Sequence, residues 1–197
     1  MRRTRHAIMA AFAQLLEERP MNKITVKDIV DRCDVNRNTF YYHFQDIPSL
    51  LREMMETQVD GIIREHCALG RPMDCIEPAL EYGLAHRQAV LHVYRAVPRE
   101  LFEQYLDRLA QRMGDEYFDN ALKDAPILSE DEAVLNRYYK CTVVGCLLDW
   151  LDAGLKYDLK AALERLCLLM DGAGERAIRL AAQRAREGKA EQQETPQ

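Results

Sequence analysis

The 197-residue chain is long enough for one medium-sized domain, or for a small domain joined to a larger one. Its net charge of −5 does not by itself indicate a nucleic-acid-binding protein. No segment approaches the length of apolar sequence that a membrane span requires. With only 9 Gly, 7 Pro and no convincing run of alternating β-branched residues, the chain is predicted to be all-α.

Charge is unevenly distributed along the chain. Residues 1–50 contain eight Lys and Arg against six Asp and Glu, whereas the remainder contains 19 basic and 26 acidic residues. A mildly basic N-terminal segment followed by an acidic remainder is typical of a small anion-binding domain joined to a larger domain that has a different function.

The first predicted helix runs from about Arg3 to Glu18. Its basic start and apolar run imitate a signal peptide, but Gln14 interrupts the run and acidic residues follow at once. There is also no small-residue cleavage signal. Apolar residues instead recur at the spacing of one helix face. We therefore expect an amphipathic helix in a cytoplasmic protein.

Two short helices joined by a tight turn are predicted next. Thr25 followed by Asp28 is a capping-box variant, which opens a helix of about eight residues. The turn follows at Asp34, and Asn36 is a good N-cap for a third helix over residues 37–44. Buttressed by the first helix, this pair predicts a helix-turn-helix.

The remaining sequence is predicted to form six more helices, about nine in all. They cover approximately residues 47–67, 73–86, 88–96, 98–122, 129–153 and 159–186. Ser129 with Glu132 forms a second capping-box pattern. The predicted domains are therefore residues 1–46, residues 47–186 and a polar tail at 187–197, which is expected to be disordered.

The stretch VNRNTFYYHF crowds aromatic residues into the third predicted helix. At about 100° per residue, Phe40 and Phe44 share one face and Tyr42 lies on the opposite side. Aromatic runs on helices are more often core than binding surface. Here, however, Tyr41 and Tyr42 cannot both point inward beside two phenylalanines on so short a helix. His43 either faces outward or hydrogen-bonds the turn that follows.

The side chains predicted to face outward suit a DNA groove. Arg37 and Asn38 can form paired hydrogen bonds to guanine and adenine edges, and Thr39 can meet a thymine methyl group. Tyrosine hydroxyls, histidine and helix N-terminal amides are phosphate partners that set the register. The predicted DNA-binding residues are Thr25, Lys27, Asn36, Arg37, Asn38, Thr39, Tyr41, Tyr42 and His43.

The segment ITVKDIVDRCDVNRNTFYYHFQDIPSLL resembles the DNA-binding domain of the TetR family of bacterial transcriptional regulators. The specific match covers about residues 8–51 and is particularly similar to the branch that includes dihydroxyacetone kinase operon regulators. The resemblance implies an N-terminal helix-turn-helix domain followed by a helical domain for effector binding and dimerisation. It also implies base-reading roles for Arg37 and Asn38 and phosphate contacts for Thr39 and His43.

Two positions depart from the family pattern. Asp34 replaces the usual glycine of the turn, which is tolerable because Asp can adopt the left-handed conformation. The customary lysine after the aromatic run is missing, since Gln45 and Ile47 stand there instead. One phosphate contact per subunit is therefore not expected, which predicts a weaker salt dependence of DNA binding.

Apolar patterns in the last two predicted helices indicate either internal core or a contact surface. Residues 143–151 are apolar nearly all round, as in a buried helix. The resemblance implies that these helices pair with their copies in a homodimer, which would read a palindrome in successive major grooves. The predicted interface residues are Leu147, Trp150, Leu151, Leu163, Leu166, Met170, Gly174 and Ile178.

The resemblance further implies an effector pocket enclosed by the helices between about residues 47 and 139. The candidates are adaptable or polar-tipped side chains: Met54, Met55, Gln58, His66, Tyr82, His86, Tyr94, Phe102, Tyr105 and Tyr138. Any one of them is more often ordinary packing than a ligand contact. A ligand that binds better when the fourth helix is shifted would lower DNA affinity by that difference in free energy.

Taken together, the sequence predicts a ligand-responsive repressor that binds double-stranded DNA as a homodimer. The alternative is a ligand-independent regulator or adaptor whose C-terminal domain binds a protein partner. An enzyme is not expected, because no nucleophile elbow, metal-ligand spacing, phosphate loop or paired carboxylates occur. No catalytic residue, metal site or cofactor is predicted, and the six scattered cysteines are expected to be buried, reduced thiols.

Overall fold

The structure is a computed structural model that describes residues 2–66, 72–121 and 127–193. Ten α-helices and one short 3-10 helix (Met21–Lys23) form the secondary structure of these residues, with no strand among them, which confirms the all-α prediction. The helices are α1 (Arg2–Glu18), α2 (Val26–Arg32), α3 (Arg37–His43), α4 (Ile47–His66), α5 (Pro72–Ala85), α6 (Arg87–Ala96), α7 (Arg99–Ala121), α8 (Ser129–Asp152), α9 (Leu159–Leu169) and α10 (Ala173–Gln193). Within the described ranges, no helix is both long and apolar enough to cross a membrane.

The first three helices pack around a shared apolar core. On one face of α1, Ile8, Phe12 and Leu15 are buried. Ile29 of α2 and Phe40 of α3 belong to the same buried cluster. α1 contacts α2, and α2 in turn contacts α3. The amphipathic first helix and the helix-turn-helix are therefore confirmed.

Side-chain caps set the starts of α2 and α3. The Oγ1 atom of Thr25 accepts a hydrogen bond from the backbone N–H of Asp28 at 3.2 Å, and the Asp28 carboxylate accepts one from the Thr25 N–H at 2.8 Å. Asn36 accepts one from the Thr39 N–H at 2.8 Å. These bonds satisfy donors that the first turn of a helix leaves without a partner. Both predicted caps are confirmed.

α4 continues the chain directly from the helix-turn-helix into the rest of the molecule. It starts after a reciprocal cap, in which Asp46 accepts from the Ser49 N–H at 2.7 Å and donates its own N–H to the Ser49 hydroxyl at 3.1 Å. Arg5 of α1 forms an ion pair with Glu53 of α4 and lies over the Phe44 ring, 5.6 Å from its centroid. This arginine therefore ties α1 to α4 at the end of α3.

α1 is also the surface on which the N-terminal helices meet the C-terminal body, because it packs against α6. His92 of α6 donates from Nδ1 to the backbone carbonyl oxygen of Leu16 at 2.7 Å. His86, just before α6, places Nδ1 2.8 Å from Oε1 of Glu17. The helix-turn-helix is thus connected to the body through α1 as well as through α4.

The C-terminal body is built on the packing of α7 along α8, with α4, α5, α6 and α9 around them. Lys140 of α8 pairs with Asp107 of α7 at 3.0 Å. Arg184 of α10 reaches Asp131 of α8 at 3.3 Å. Asp158 caps α9 by accepting from the Ala161 N–H at 2.9 Å.

The last predicted helix, 159–186, is two helices in the structure. α9 ends at Leu169, Gly172 has a φ of 69°, and α10 begins at Ala173. Left-handed backbone is open to glycine without steric cost and cannot continue a right-handed helix. The prediction of one continuous helix is therefore wrong. α10 extends to Gln193, into the predicted tail, and residues 194–197 lie outside the described residues.

Two local predictions also fail. α8 begins at Ser129 itself, with Leu128 at the cap position and no side-chain cap hydrogen bond, so the capping box predicted at Ser129 is absent. Cys141 and Cys167 are exposed in the single chain, although buried thiols were expected. Both failures concern helix α8 or α9, where the sequence pattern does not show which face is covered.

Replacing Phe40 with alanine is expected to lower the free energy of unfolding by about 3–5 kcal/mol, because it removes a buried ring and leaves a cavity. Denaturant titration followed by circular dichroism measures the change. Tyr42→Ala, in the same helix but exposed, is the matched control and should change the free energy by less than about 0.5 kcal/mol. Equal losses in both variants would contradict the core position of Phe40.

Candidate nucleic-acid interface and internal cavity

The turn between α2 and α3 fixes how the two helices approach each other. Asp34 has a φ of 52°, and the N–H of Val35 donates to the carbonyl oxygen of Val30 at 3.0 Å. Asp is among the few non-glycine residues that adopt left-handed backbone readily. Its presence in place of glycine therefore preserves the turn.

α3 has a buried face and an exposed face. Phe40 and Phe44 are buried, with ring centroids 5.9 Å apart. On the other side, the side chains of Tyr41 and Tyr42 are 57% and 69% exposed. Large aromatic side chains seldom stay this exposed on a well-packed helix unless the surface has a partner. The geometry matches the outward orientation expected from the helical period.

Arg37 and Lys27 carry the positive charge of this surface, and both are exposed. In the described part of the chain, neither forms an ion pair or a side-chain hydrogen bond. The neighbouring residues Arg19 and Arg32 form ion pairs with acidic side chains. Arg32 forms two hydrogen bonds with Glu18, at 2.7 and 2.9 Å, and Arg19 lies 3.4 Å from Asp28. Arg37 and Lys27 therefore remain available to an external anion.

Some predicted DNA-binding side chains already have partners inside the domain. The Oδ1 atom of Asn36 accepts both from the Thr39 N–H and from the Thr39 hydroxyl, the latter at 3.0 Å. Thr39 is half-buried, whereas Asn38 beside it is exposed and able to contact a base. Half-buried His43 packs against Tyr42 with ring centroids 5.1 Å apart. Thr25 and Asn36 thus serve first to start the two helices.

A cavity of about 190 Å³ lies between α1, α4, α5, α6, α7 and α8. Of the predicted effector residues, Met54, Met55, Gln58, Tyr82, His86, Phe102 and Tyr105 line it. Trp150, predicted as an interface residue, lines it too. Among the residues that the structure describes, no group of three or more His, Cys, Asp or Glu side chains is placed to hold a metal ion.

Three predicted effector residues are not placed in the cavity wall. The hydroxyl of Tyr94 donates to Asp152 at 2.5 Å, and its ring packs edge-on against Phe102 at 5.0 Å. Tyr138 is exposed on α8. His66 ends α4, but its side chain lies outside the described part of the structure.

Sequence reasoning missed most of the apolar wall of the cavity. The additional lining residues are Leu16, Leu51, Val59, Ile62, Ala79, Gly83, Ala89, Val90, Val93, Leu106, Leu109, Leu147 and Leu151. In the sequence, these residues follow the same helical spacing as ordinary core residues. No sequence signal distinguishes an apolar side chain that lines a cavity from one that fills the core.

Four of the predicted dimer-interface residues are covered or partly covered within the single chain. Trp150, Leu151 and Leu163 are buried within the single chain, so a second chain cannot cover them. The indole N–H of Trp150 donates to the carbonyl oxygen of Tyr157 at 2.8 Å. Leu147 is half-buried against the cavity. These four side chains belong to the internal packing of the body.

The other predicted interface residues remain accessible in the single chain. Leu166 and Met170 are exposed, while Gly174 and Ile178 are half-buried. A Cβ atom at Gly174 would lie 3.0 Å from the Tyr139 hydroxyl, so this glycine allows a close approach within the chain. Further large apolar side chains are exposed on α8, α9 and α10: Val134, Tyr138, Leu168 (77% exposed), Leu169 (75% exposed) and Leu180.

A helix-turn-helix with an exposed second helix, joined to a larger helical body, is the architecture of a DNA-binding transcriptional regulator. A family model described as "Bacterial regulatory proteins, tetR family" matches residues 8–54. A second, described as "Transcriptional regulator C-terminal region", matches residues 71–172, more than half of the chain. The chain belongs to the TetR family of transcriptional regulators.

Solved structures show the same fold. A "Dihydroxyacetone kinase operon activator DhaS" is 18% identical, with a TM-score of 0.70 over 85% of this chain and 93% of that chain. NalD of Pseudomonas aeruginosa, described as the secondary repressor of the MexAB-OprM multidrug efflux pump, is also 18% identical. Its TM-score is 0.52, over 86% of this chain and 94% of NalD. No curated protein sequence matches the chain. At this identity the two structures support the fold alone.

Thr25→Ala is expected to raise the pKa of Asp28 towards its ordinary value of 3.8, because the Thr25 hydroxyl, which donates to the Asp28 carboxylate at 2.7 Å, is the largest cause that lowers it. A lowered pKa in the folded state contributes stability above the ordinary value, and that stability is lost as the pH falls through the folded pKa. The variant should therefore lose less of its stability to acid. An NMR titration of the Asp28 carboxyl group measures the shift.

Thr57→Ala is the control for this titration, since Thr57 hydrogen-bonds the Glu53 carbonyl oxygen on α4. It should leave the Asp28 titration unchanged. An Asp28 pKa that does not move in Thr25→Ala would contradict the hydrogen bond from the Thr25 hydroxyl to the Asp28 carboxylate.

Proposed function

We propose that the chain is a cytoplasmic, homodimeric regulator that binds a palindromic DNA operator and is released from it by a small-molecule effector. The observation that carries the proposal is the exposed face of α3. The side chains of Tyr41 and Tyr42 are exposed, and exposed Arg37 on the same helix has no ion-pair partner among the described residues. Phe40, on the opposite face, is buried in the core. A helix held in this way suits the major groove of DNA.

Within this proposal, Arg37 and Asn38 read the sequence. Both are exposed in the first turn of α3, and in helix-turn-helix proteins the N-terminal residues of the second helix contact base edges. Arg forms paired hydrogen bonds with guanine, and Asn does so with adenine. An operator half-site that contains both bases at neighbouring positions is the expected consequence.

The remaining polar residues of the domain position the helix on the phosphate backbone. Phosphate contacts set the orientation of a protein on DNA without reading its sequence. Lys27 supplies a free cation near the start of α2, and Tyr41 and Tyr42 supply hydroxyl groups on α3. The further proposed contacts are Thr25, Asn36, Thr39 and His43. Because Thr25 and Asn36 cap helices and Thr39 donates to the Asn36 cap, substitution of any of the three would disturb the fold as well as binding.

The proposed dimer follows from the unpartnered side chains of α8, α9 and α10. Leu168 and Leu169 on α9 are more than two-thirds exposed, and Leu166 and Met170 flank them. Contiguous exposed leucines are unfavourable in water and typically mark a protein–protein contact. A two-fold dimer through these helices would place two copies of α3 about 34–36 Å apart on successive major grooves.

Two helices connect the cavity with the proposed DNA-binding surface. α4, which begins soon after α3 ends, contributes Met54, Met55 and Gln58 to the cavity wall. α1 contributes Leu16, and its Glu17 contacts His86 at the cavity. A ligand that fits better when either helix is shifted would move α3 and lower operator affinity by the same free energy.

Repression is the proposed outcome, since a dimer seated on an operator obstructs other proteins at that DNA and an effector that releases it restores access. The second candidate is a ligand-independent regulator whose C-terminal domain binds a different protein. The exposed Leu168 and Leu169 favour that candidate equally well. The two differ in what covers these leucines, a second copy or another protein.

Selection of bound DNA from a random library is expected to enrich a palindrome, because two copies of α3 related by a two-fold axis meet inverted half-sites. Arg37→Ala and Tyr42→Ala are each expected to weaken binding to the enriched site by about 5- to 100-fold, since the first removes a proposed base contact and the second a proposed phosphate contact. Fluorescence anisotropy at one fixed salt concentration measures the affinities.

Arg95→Ala is the charge-matched control for Arg37→Ala, because Arg95 is exposed near the end of α6, outside the helix-turn-helix. Its operator affinity should equal that of the parent protein. If no palindrome is enriched and both Arg37→Ala and Tyr42→Ala bind as the parent does, the proposed function is wrong.

Leu168→Glu combined with Leu169→Glu is expected to convert a dimer into a monomer, because two buried carboxylates at an apolar interface would lose their hydration. Sedimentation velocity measures the mass, and operator affinity should fall in parallel. Leu101→Glu, at an exposed leucine in α7, is the control and should remain dimeric. A monomeric parent protein would contradict the homodimer and favour the different-partner alternative.

A further inference from the structure

The volume of the cavity indicates the size of compound that fits within its walls. Its volume is about 190 Å³. An apolar cavity of roughly 150 Å³ holds benzene, whereas pockets for drug-sized ligands begin at about 300 Å³. The cavity is therefore suited to a compound of one or two rings, or to an aliphatic compound of similar volume.

The walls of the cavity carry no permanent charge. Among the described residues that line it, there is no Asp, Glu, Lys or Arg. His86 is exposed at the wall, and its Nδ1 atom is directed to Glu17 at 2.8 Å. A charged ligand would lose its hydration without gaining a counter-charge, which is costly in an apolar site. The lining therefore favours an uncharged ligand.

Two tyrosines, Tyr82 and Tyr105, are among the polar residues that line the cavity. The Trp150 N–H is already used by the Tyr157 carbonyl oxygen. In the part of the chain that the structure describes, no protein group hydrogen-bonds the hydroxyl of Tyr82 or Tyr105. Burial raises the pKa of both hydroxyls, so both keep their protons and can donate. Gln58 is exposed and adds an amide to the wall.

We propose that the cavity binds an uncharged, mainly apolar molecule of one or two rings that carries a hydrogen-bonding oxygen or nitrogen, which Tyr82 and Tyr105 contact. The inference rests on the proposed function, because it names the chemical class of the effector for the same site. A hydroxyl that has no protein partner gains most from a ligand acceptor when the surroundings are apolar. Polyols and carboxylates are excluded by the same apolar lining.

The cavity contains its own spectroscopic reporter. Trp150 is the only tryptophan of the chain, is 3% exposed and lines the cavity. Its fluorescence therefore reports occupancy without DNA. The probes are toluene, benzyl alcohol, benzoate and glycerol, titrated at neutral pH. Toluene and benzyl alcohol are expected to change the emission saturably, whereas benzoate and glycerol bind at least about 10-fold more weakly because of their charge or polarity.

The double variant Tyr82→Phe with Tyr105→Phe tests the polar contact. It is expected to weaken benzyl alcohol binding by about 3- to 10-fold and to leave toluene binding unchanged, because toluene makes no hydrogen bond. Tyr138→Phe, at an exposed tyrosine outside the cavity, is the matched control and should bind both probes as the parent does. An equal loss for both probes would show that the hydroxyls act only through packing and would overturn the polar contact.

The outcomes separate this inference from the proposed function. Benzoate or glycerol binding as tightly as benzyl alcohol, or no saturable change with either neutral probe, overturns the ligand class. Operator affinity is measured separately, with and without benzyl alcohol. Neutral probes that bind without changing operator affinity support the ligand class but overturn effector release. Absence of operator binding in the parent protein overturns the proposed function and leaves the fluorescence result intact.

Discussion

Phe40 on α3 and Phe44 directly after its last residue project into the core formed with α1 and α2, and their burial sets the rotation of α3 about its own axis. α3 has only seven residues, or about two turns. Two anchors on one face of so short a helix leave no alternative orientation for the others. The exposure of Arg37, Tyr41 and Tyr42 is therefore a consequence of where the phenylalanines go. Every contact proposed for DNA from α3 depends on this rotation.

The helices that hold α3 in place also form part of the cavity wall. α1 buries Ile8 and Phe12 beneath the helix-turn-helix and ends with Leu16 at the cavity. α4 leaves the helix-turn-helix at Ile47 and lines the cavity one to two turns later, through Leu51 and neighbouring residues. The two sites therefore share rigid elements and need no long chain of intervening contacts. A shift of α1 or α4 would therefore change the geometry of both the DNA-binding surface and the cavity.

The distribution of ion pairs explains how an acidic chain presents a cationic surface. Arg5, Arg19 and Arg32 are each paired with a carboxylate, so they hold helices together and add little free charge. Arg37 and Lys27 are exposed and, among the described residues, have no such partner. Attraction to phosphate depends on local, uncompensated charge more than on the net charge of −5. The pairing pattern thus leaves Arg37 and Lys27 as cations that no ion pair within the described residues compensates.

The sequence by itself determined the features that depend on residues within a few positions of one another. The helical class, the caps at Thr25 and Asn36 and the outward face of α3 all follow from local spacing and hydrogen bonding. Only the tertiary structure decided which apolar residues of the C-terminal body lie in the core, line the cavity or are exposed. Trp150 and Leu163, which the sequence predicts at a dimer interface, are buried within the single chain. Apolar side chains at helical spacing are equivalent in sequence, and only packing assigns each to core, cavity or contact surface.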